Sequence, residues 1–243
     1  MNRNRERGFT LMELLIAMTL LSMLAAGIMI ALRVYLNAME KADSRLMANR
    51  KVAAVERILE QQVAGIMPVK ADCMGGGDAP AARVAFFQGE PQTMRFVSSY
   101  SIQEGARGYA RILEYQVIQG DRGEGVRLVV NEMLYSGPRS TGALCRGLAP
   151  GVDGTPVPQF VAVQAGPGSF VLADRLAYCR FSFREQLIDP PVARWAPMWK
   201  KPLLPNAVRI EMAPLDPDVA KLQWLTLTMP IHVTRVPLVQ YAN

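Results

Sequence analysis

The sequence predicts an α+β chain: a long N-terminal helix, with a membrane half and an amphipathic half, packed on an antiparallel β-sheet domain. Three observations carry this. Residues 14–32 hold no charge and no proline, an apolar run of about 19 residues, close to the ~20 that a helix needs to cross a bilayer. Residues 33–67 stay free of proline while charge returns on one side. From Pro68 onward, turns rich in glycine and proline separate stretches of alternating or β-branched residues. The 243 residues suffice for one well-buried domain with a helix appended.

The first element is the N-terminal segment. Arg3, Arg5 and Arg7, offset only by Glu6, stand directly before the apolar run. That bias predicts a cytoplasmic N-terminus, with the rest of the chain across the membrane. A secretory signal peptide has an apolar core of about 7–15 residues and an A-x-A-like site; here the run is longer and lacks a clear one. A plain single-pass anchor accounts for length and orientation but not for Glu13. A carboxylate at the centre of a membrane helix costs about 2.5–3.5 kcal/mol on insertion scales, and less near the helix end.

The stretch Arg7-Gly-Phe-Thr-Leu-Met-Glu-Leu-Leu-Ile-Ala resembles the class III signal sequence of type IV pilins and of type II secretion pseudopilins, with Gly8, Phe9 and Glu13 at the family's spacing. The resemblance implies a pilin-like fold, cleavage after Gly8 by a prepilin peptidase, and N-methylation of Phe9. The apolar run then stays as anchor and later as filament core. It also implies that Glu13 pairs with the new α-amino group of a neighbouring subunit, which would satisfy a carboxylate badly placed alone. Many major pilins have a proline part-way along this helix; none stands near Ile30, so no break is expected there. The implied organisation is a leader at 1–8, a transmembrane and assembly helix at 9–32, an amphipathic helix at 33–67 and a β-rich domain at 68–243.

In the second helical half, Tyr35, Met39, Ala42, Leu46, Ala53, Ile58, Leu59 and Ile66 fall roughly on one stripe, opposite a charged side. The stripe predicts packing on the sheet, and Pro68 predicts the helix end. Strands are expected at 84–88, 93–98, 111–118 and 126–135, the last two joined by a glycine-bearing hairpin loop at 119–125. Residues 136–158 read as irregular, with further strands at 160–164 and 169–173. Around Cys179, alternation places Ala177, Cys179, Phe181 and Phe183 on one face and Arg180, Ser182 and Arg184 on the other. The run at 221–236 predicts a long last strand, with Pro230 marking an edge or a bulge.

A strand, a linker with Trp195 and Trp199, then Leu204, Pro205, Ala207, Val208 and Arg209 leading into another strand resembles the C-terminal half of J-type minor pseudopilins; some minor pilins of type IV pili share a similar tail. The function this implies is that of a minor pseudopilin at the tip of a type II secretion pseudopilus, promoting export across the outer membrane. Its partners would be other minor pseudopilins, the major pseudopilin, the prepilin peptidase and the inner membrane. The alternatives are a minor pilin of a type IV pilus, a membrane-anchored periplasmic enzyme and a secreted binding module.

Catalysis finds little support. His232 is the only histidine, on the more polar face of its strand with Thr226 and Thr228, and no G-x-S-x-G elbow occurs. The glycines at 75–77 precede no Lys-Ser/Thr pair, so they form no phosphate loop. Asp216 and Asp218 lack the further oxygen ligands calcium needs. No metal and no cofactor is expected. A formal charge of +6, spread along the chain without aromatic interleaving, gives no basis for nucleic-acid binding. Cys73, Cys145 and Cys179 form no CxxC pair; one disulfide is possible outside the cytoplasm, and Cys179 reads as a buried small hydrophobe.

Overall fold

The computed structural model describes residues 9–74, 82–150, 154–186, 193–216 and 225–233. Helix α1 is continuous over Leu11–Ala64, without a break near Ile30. The strands that follow are β1 (Ile66–Met67), β2 (Lys70–Cys73), β3 (Ala82–Ala85), β4 (Gln88–Gly89), β5 (Thr93–Ser101), β6 (Ala106–Gln119) and β7 (Val126–Leu134). A short helix α2 (Pro138–Gly142) leads to β8 (Cys145–Pro150), β9 (Pro156–Phe160), β10 (Phe170–Gln186), β11 (Ala193–Ala196), β12 (Ala207–Pro214) and β13 (Leu225–Pro230). The chain falls into two units, residues 1–50 and 51–243.

In the second unit a nine-stranded antiparallel sheet runs in the order β1-β5-β6-β7-β10-β12-β13, with β4 added to β5 and β11 to β10. The last turns of α1 cover one face. Leu59 and Val63, with Val55 partly buried beside them, enter a core with Phe96, Leu113, Tyr115, Phe181 and Ile210. On the opposite face a smaller core forms under two hairpins, β2–β3 and β8–β9, where Ala71, Val84 and Phe86 meet Val97 and Ile112. The sheet is thus filled from both sides at its N-terminal half. This explains why Met94 to Val97 in β5 are all buried, without alternation between core and solvent.

Several expectations are corrected. The helix ends at Ala64 rather than at Pro68, and Ile66 pairs with Ser98 as part of β1. Gly65 marks the junction. A Cβ there would stand 2.6 Å from Ser98 Oγ, so a side chain would force the helix end or Ser98 to shift, and the Gly65 carbonyl accepts the Ser99 amide at 2.9 Å. The apolar stripe does not pack along its whole length. Tyr35, Met39, Ala42, Leu46 and Ala53 are exposed, Ile58 is half-buried, and only Leu59 and Ile66 are buried. Within α1, the residues that join the sheet core are Val55, Leu59 and Val63, all in its last three turns.

The region read as irregular contains α2, β8 and most of β9, and residues 161–164, expected as strand, lie outside any element. The short strand at 169–173 is the start of the 17-residue β10. Ala177 is exposed and Leu176 buried, because a bulge between Leu176 and Tyr178 shifts the phase of β10. Beyond it Cys179, Phe181 and Phe183 face the core as expected. The hairpin loop is also as expected. Gly123 and Gly125 sit at φ 78° and 63°, and a Cβ on Gly125 would strike the Leu176 carbonyl oxygen at 2.4 Å. Among the described residues strand β13 is at the sheet edge, where a proline, which has no N–H to donate, is tolerated; its expected extensions, 221–224 and 234–236, lie outside the described residues.

Candidate functional site

The sequence places its one processing and assembly site at the start of α1. Thr10 caps the helix: its Oγ1 accepts the Glu13 amide at 3.3 Å, and its carbonyl accepts the amides of Glu13 and Leu14 at 3.1 and 3.2 Å. Glu13 therefore sits in the first turn, where a carboxylate is favoured by the exposed amides of a helix N-terminus. The capping role of Thr10 was not drawn from the sequence, although Thr10-Leu-Met-Glu13 is a capping-box pattern and could have revealed it.

Phe9 is 85% exposed and Glu13 is exposed too. Among the described residues no cation lies within ion-pair distance of the Glu13 carboxylate. Gly8 and the basic stub lie outside the described residues. From Leu11 onward the helix offers a membrane-length apolar window, none of which is buried. Its large side chains are fully available to lipid or to other helices.

The remaining residues singled out by sequence do not assemble into a second centre. His232 is exposed. Asp216 accepts from Arg175 Nη2, which commits one of the two carboxylates considered for calcium; Asp218 lies outside the described residues. Among the described residues no group of three or more His, Cys, Asp or Glu side chains could hold a metal. Cys73 and Cys145 form a disulfide that ties β2 to β8, while Cys179 is free and buried, its thiol pushed up to about 12 by desolvation. A groove of about 600 Å³ opens between β2–β3 and the 202–206 loop; its walls are mainly apolar, with Pro68, Val84, Pro156 and Leu204 among them.

The buried ion pair Arg95–Glu114 was also missed. Arg95 Nε donates to Glu114 at 2.7 Å, Nη1 to Gln88 at 2.8 Å and Nη2 to the Val161 carbonyl at 3.0 Å, with the guanidinium 5.3 Å from the Phe160 ring centroid. Burial pulls the Arg95 pKa below its ordinary value and the Glu114 carboxylate opposes that shift. The pair anchors the Phe160–Val161 segment to the sheet.

Residues 3–29 match the family model described as the prokaryotic N-terminal methylation motif. The chain is pilin-like. Its match spans the basic stub, Gly8, Phe9, Glu13 and most of the apolar run, the last two of which lie in α1. The pilin-like chain is also similar to type II secretion system protein J of Xanthomonas campestris pv. campestris, at 27% identity over 217 residues, covering 86% of this chain and 88% of that one. The similarity therefore extends through the sheet domain, beyond the anchor.

Proposed function

We propose that this chain is a minor pseudopilin of a type II secretion system, most like the J type, acting by assembly and not by catalysis. The observation that carries the reading is the methylation motif at residues 3–29 on a chain similar over most of its length to a secretion protein J. The exposed apolar helix supports membrane anchoring and insertion among neighbouring helices. The Cys73–Cys145 disulfide supports an oxidising compartment for the sheet domain, as expected for a periplasmic location with a cytoplasmic N-terminus. Other pseudopilins are the partners that this reading supplies, and the prepilin peptidase is the processing enzyme.

In this reading the peptidase cuts between Gly8 and Phe9, and the new Phe9 amine is methylated. Glu13, one helical turn away on a capped and exposed helix start, then meets the Phe9 amine of a neighbouring subunit. A carboxylate in an apolar medium gains most from such a cationic partner. Intact-mass measurement of the membrane form tests the processing: loss of residues 1–8 with one added methyl group is expected. A mature terminus near Ala26 would overturn the reading in favour of a removed signal peptide. Glu13→Ala should leave insertion and cleavage intact and reduce secretion in a complemented deletion strain. Full secretion at equal abundance of mature protein would refute the pairing role.

A further inference from the structure

The outer face of the sheet is covered unevenly. Over β5 to β7 the two hairpins bury it, whereas over β10, β12 and β13 Arg180, Thr226 and Thr228 are exposed and Ser182, Arg184, Arg209 and Glu211 half-buried, with only the small Ala207 and Ala213 of β12 buried among them. Strand register fixes the layout. Ser182 pairs with Arg209, Arg180 with Glu211 and Arg184 with Ala207, so Arg209 stands beside the midpoint between Arg180 and Arg184. Thr228 flanks Arg209 from β13 and Trp195 flanks Arg184 from β11.

Three features of these arginines occur together. Arg83, Arg95, Arg111, Arg127 and Arg175 each have a carboxylate within ion-pair distance; Arg180, Arg184 and Arg209 have none among the described residues, although Glu211 shares their face. Two of them lie against rings: Arg209 is 3.9 Å from the Trp195 centroid and Arg180 is 4.9 Å from that of Tyr178. Arg184 Nε is buried without a hydrogen-bond partner among the described residues, an arrangement that is uncommon in native structures.

We propose that this arginine–aromatic plate is a docking surface for a carboxylate-bearing segment of a partner protein. Guanidinium groups held against rings keep their N–H fork available for bidentate carboxylate bonds. Arginine, tryptophan and tyrosine are the residues that dominate protein interfaces. A membrane surface fits less well, because the plate carries threonine and serine hydroxyls between its arginines. An extended segment with acidic residues at every second position presents them about 6.8 Å apart on one face, so that alternate ones, about 13.6 Å apart, match the four-residue interval from Arg180 to Arg184 along β10. The proposal goes beyond the pseudopilin reading and does not rest on it.

The test uses the full-length protein in detergent micelles and a fluorescein-labelled decapeptide of alternating glutamate and serine, with binding read by anisotropy. Binding is expected to weaken with salt, and Arg184→Ala and Arg209→Ala should each lower affinity at least fivefold. Arg184→Lys and Arg209→Lys should not restore it, since lysine supplies neither the fork nor the ring stack. Thr228→Glu sets a competing carboxylate beside Arg209 on an exposed position and should also abolish binding, which separates lost recognition from lost folding. Arg107→Ala removes the same charge from an exposed site on β6 and should leave affinity within twofold. The proposal fails if the peptide does not bind, if Arg107→Ala weakens it as much as Arg209→Ala, or if the lysine variants bind like wild type. It also fails if Arg209→Ala abolishes binding to phosphatidylglycerol vesicles while peptide binding is unchanged.

Discussion

The two units of the chain use the same kind of residue to opposite ends. Leu20 and Leu59 stand on one continuous helix, yet Leu20 is 62% exposed and Leu59 is 0% exposed. In residues 11–32 the large apolar side chains are exposed, whereas from Leu59 onward they close a core with the sheet. The hydrophobic effect drives both, but only the second region satisfies it internally. Stability of the fold and capacity for insertion or assembly are thus written in separate stretches of one helix.

This contrast is open to direct attack, and the largest effect should come from the buried polar centre of the sheet domain. Arg95→Ala leaves Glu114 uncompensated among Asn131 and apolar neighbours, and should cost about 3–5 kcal/mol in denaturant unfolding of the detergent-solubilised protein. The double variant Arg95→Met/Glu114→Leu should recover most of that loss. A cost below about 1 kcal/mol for Arg95→Ala would mean that the pair is wet or redundant.

The next effect compares the two leucines. Leu59→Ala should destabilise the sheet domain by about 2–5 kcal/mol, while Leu20→Ala should leave its unfolding midpoint unchanged. Equal effects from both would erase the distinction between the two helix regions. Reduction of Cys73–Cys145, or the double serine variant, should cost about 2–4 kcal/mol, since the bridge spans 72 residues of chain. Tryptophan fluorescence and urea titration, with and without a reductant, measure it. The helical circular dichroism of α1 should persist through that loss.

The smallest effect belongs to Cys179. Desolvation raises its thiol pKa to about 12 in the folded chain, against 9.0 for an ordinary thiol. The folded state thus holds its proton more tightly than the unfolded state. This site's contribution is complete below pH 9 and falls as pH rises toward 12. The buried thiol should resist iodoacetamide at pH 8 in the native protein and react after denaturation. Rapid native alkylation would contradict its burial.

The N-terminal half was the more legible part of the molecule. Its signals are local: a charge step, an uncharged run and a fixed spacing of Gly8, Phe9 and Glu13. Strands β5, β6 and β7 were legible for a similar reason, because β-branched and aromatic runs with a glycine hairpin between them report pairing of neighbours in sequence. The hairpin β8–β9 was not. Its strands carry Gly147, Pro150, Pro156 and Pro158, and they hold through a disulfide to β2 and packing on Ile112 rather than through β propensity. Arg95 was hidden in the same way. An arginine inside Thr-Met-Arg-Phe-Val reads as a solvent-facing residue until a second layer covers that face.

Sequence alone determined the anchor, the processing motif, the α+β class and the core side of the segment 179–183, because each rests on periodicity or on spacing within one segment. Tertiary structure decided where α1 stops being buried, which two of three cysteines join, and which face of the sheet stays open. Gly65 shows why. Nothing within its own neighbourhood states that Ser98 will stand 2.6 Å from the position of a Cβ. Such limits come from atoms distant in the chain, and a pattern read along one segment carries no information about them.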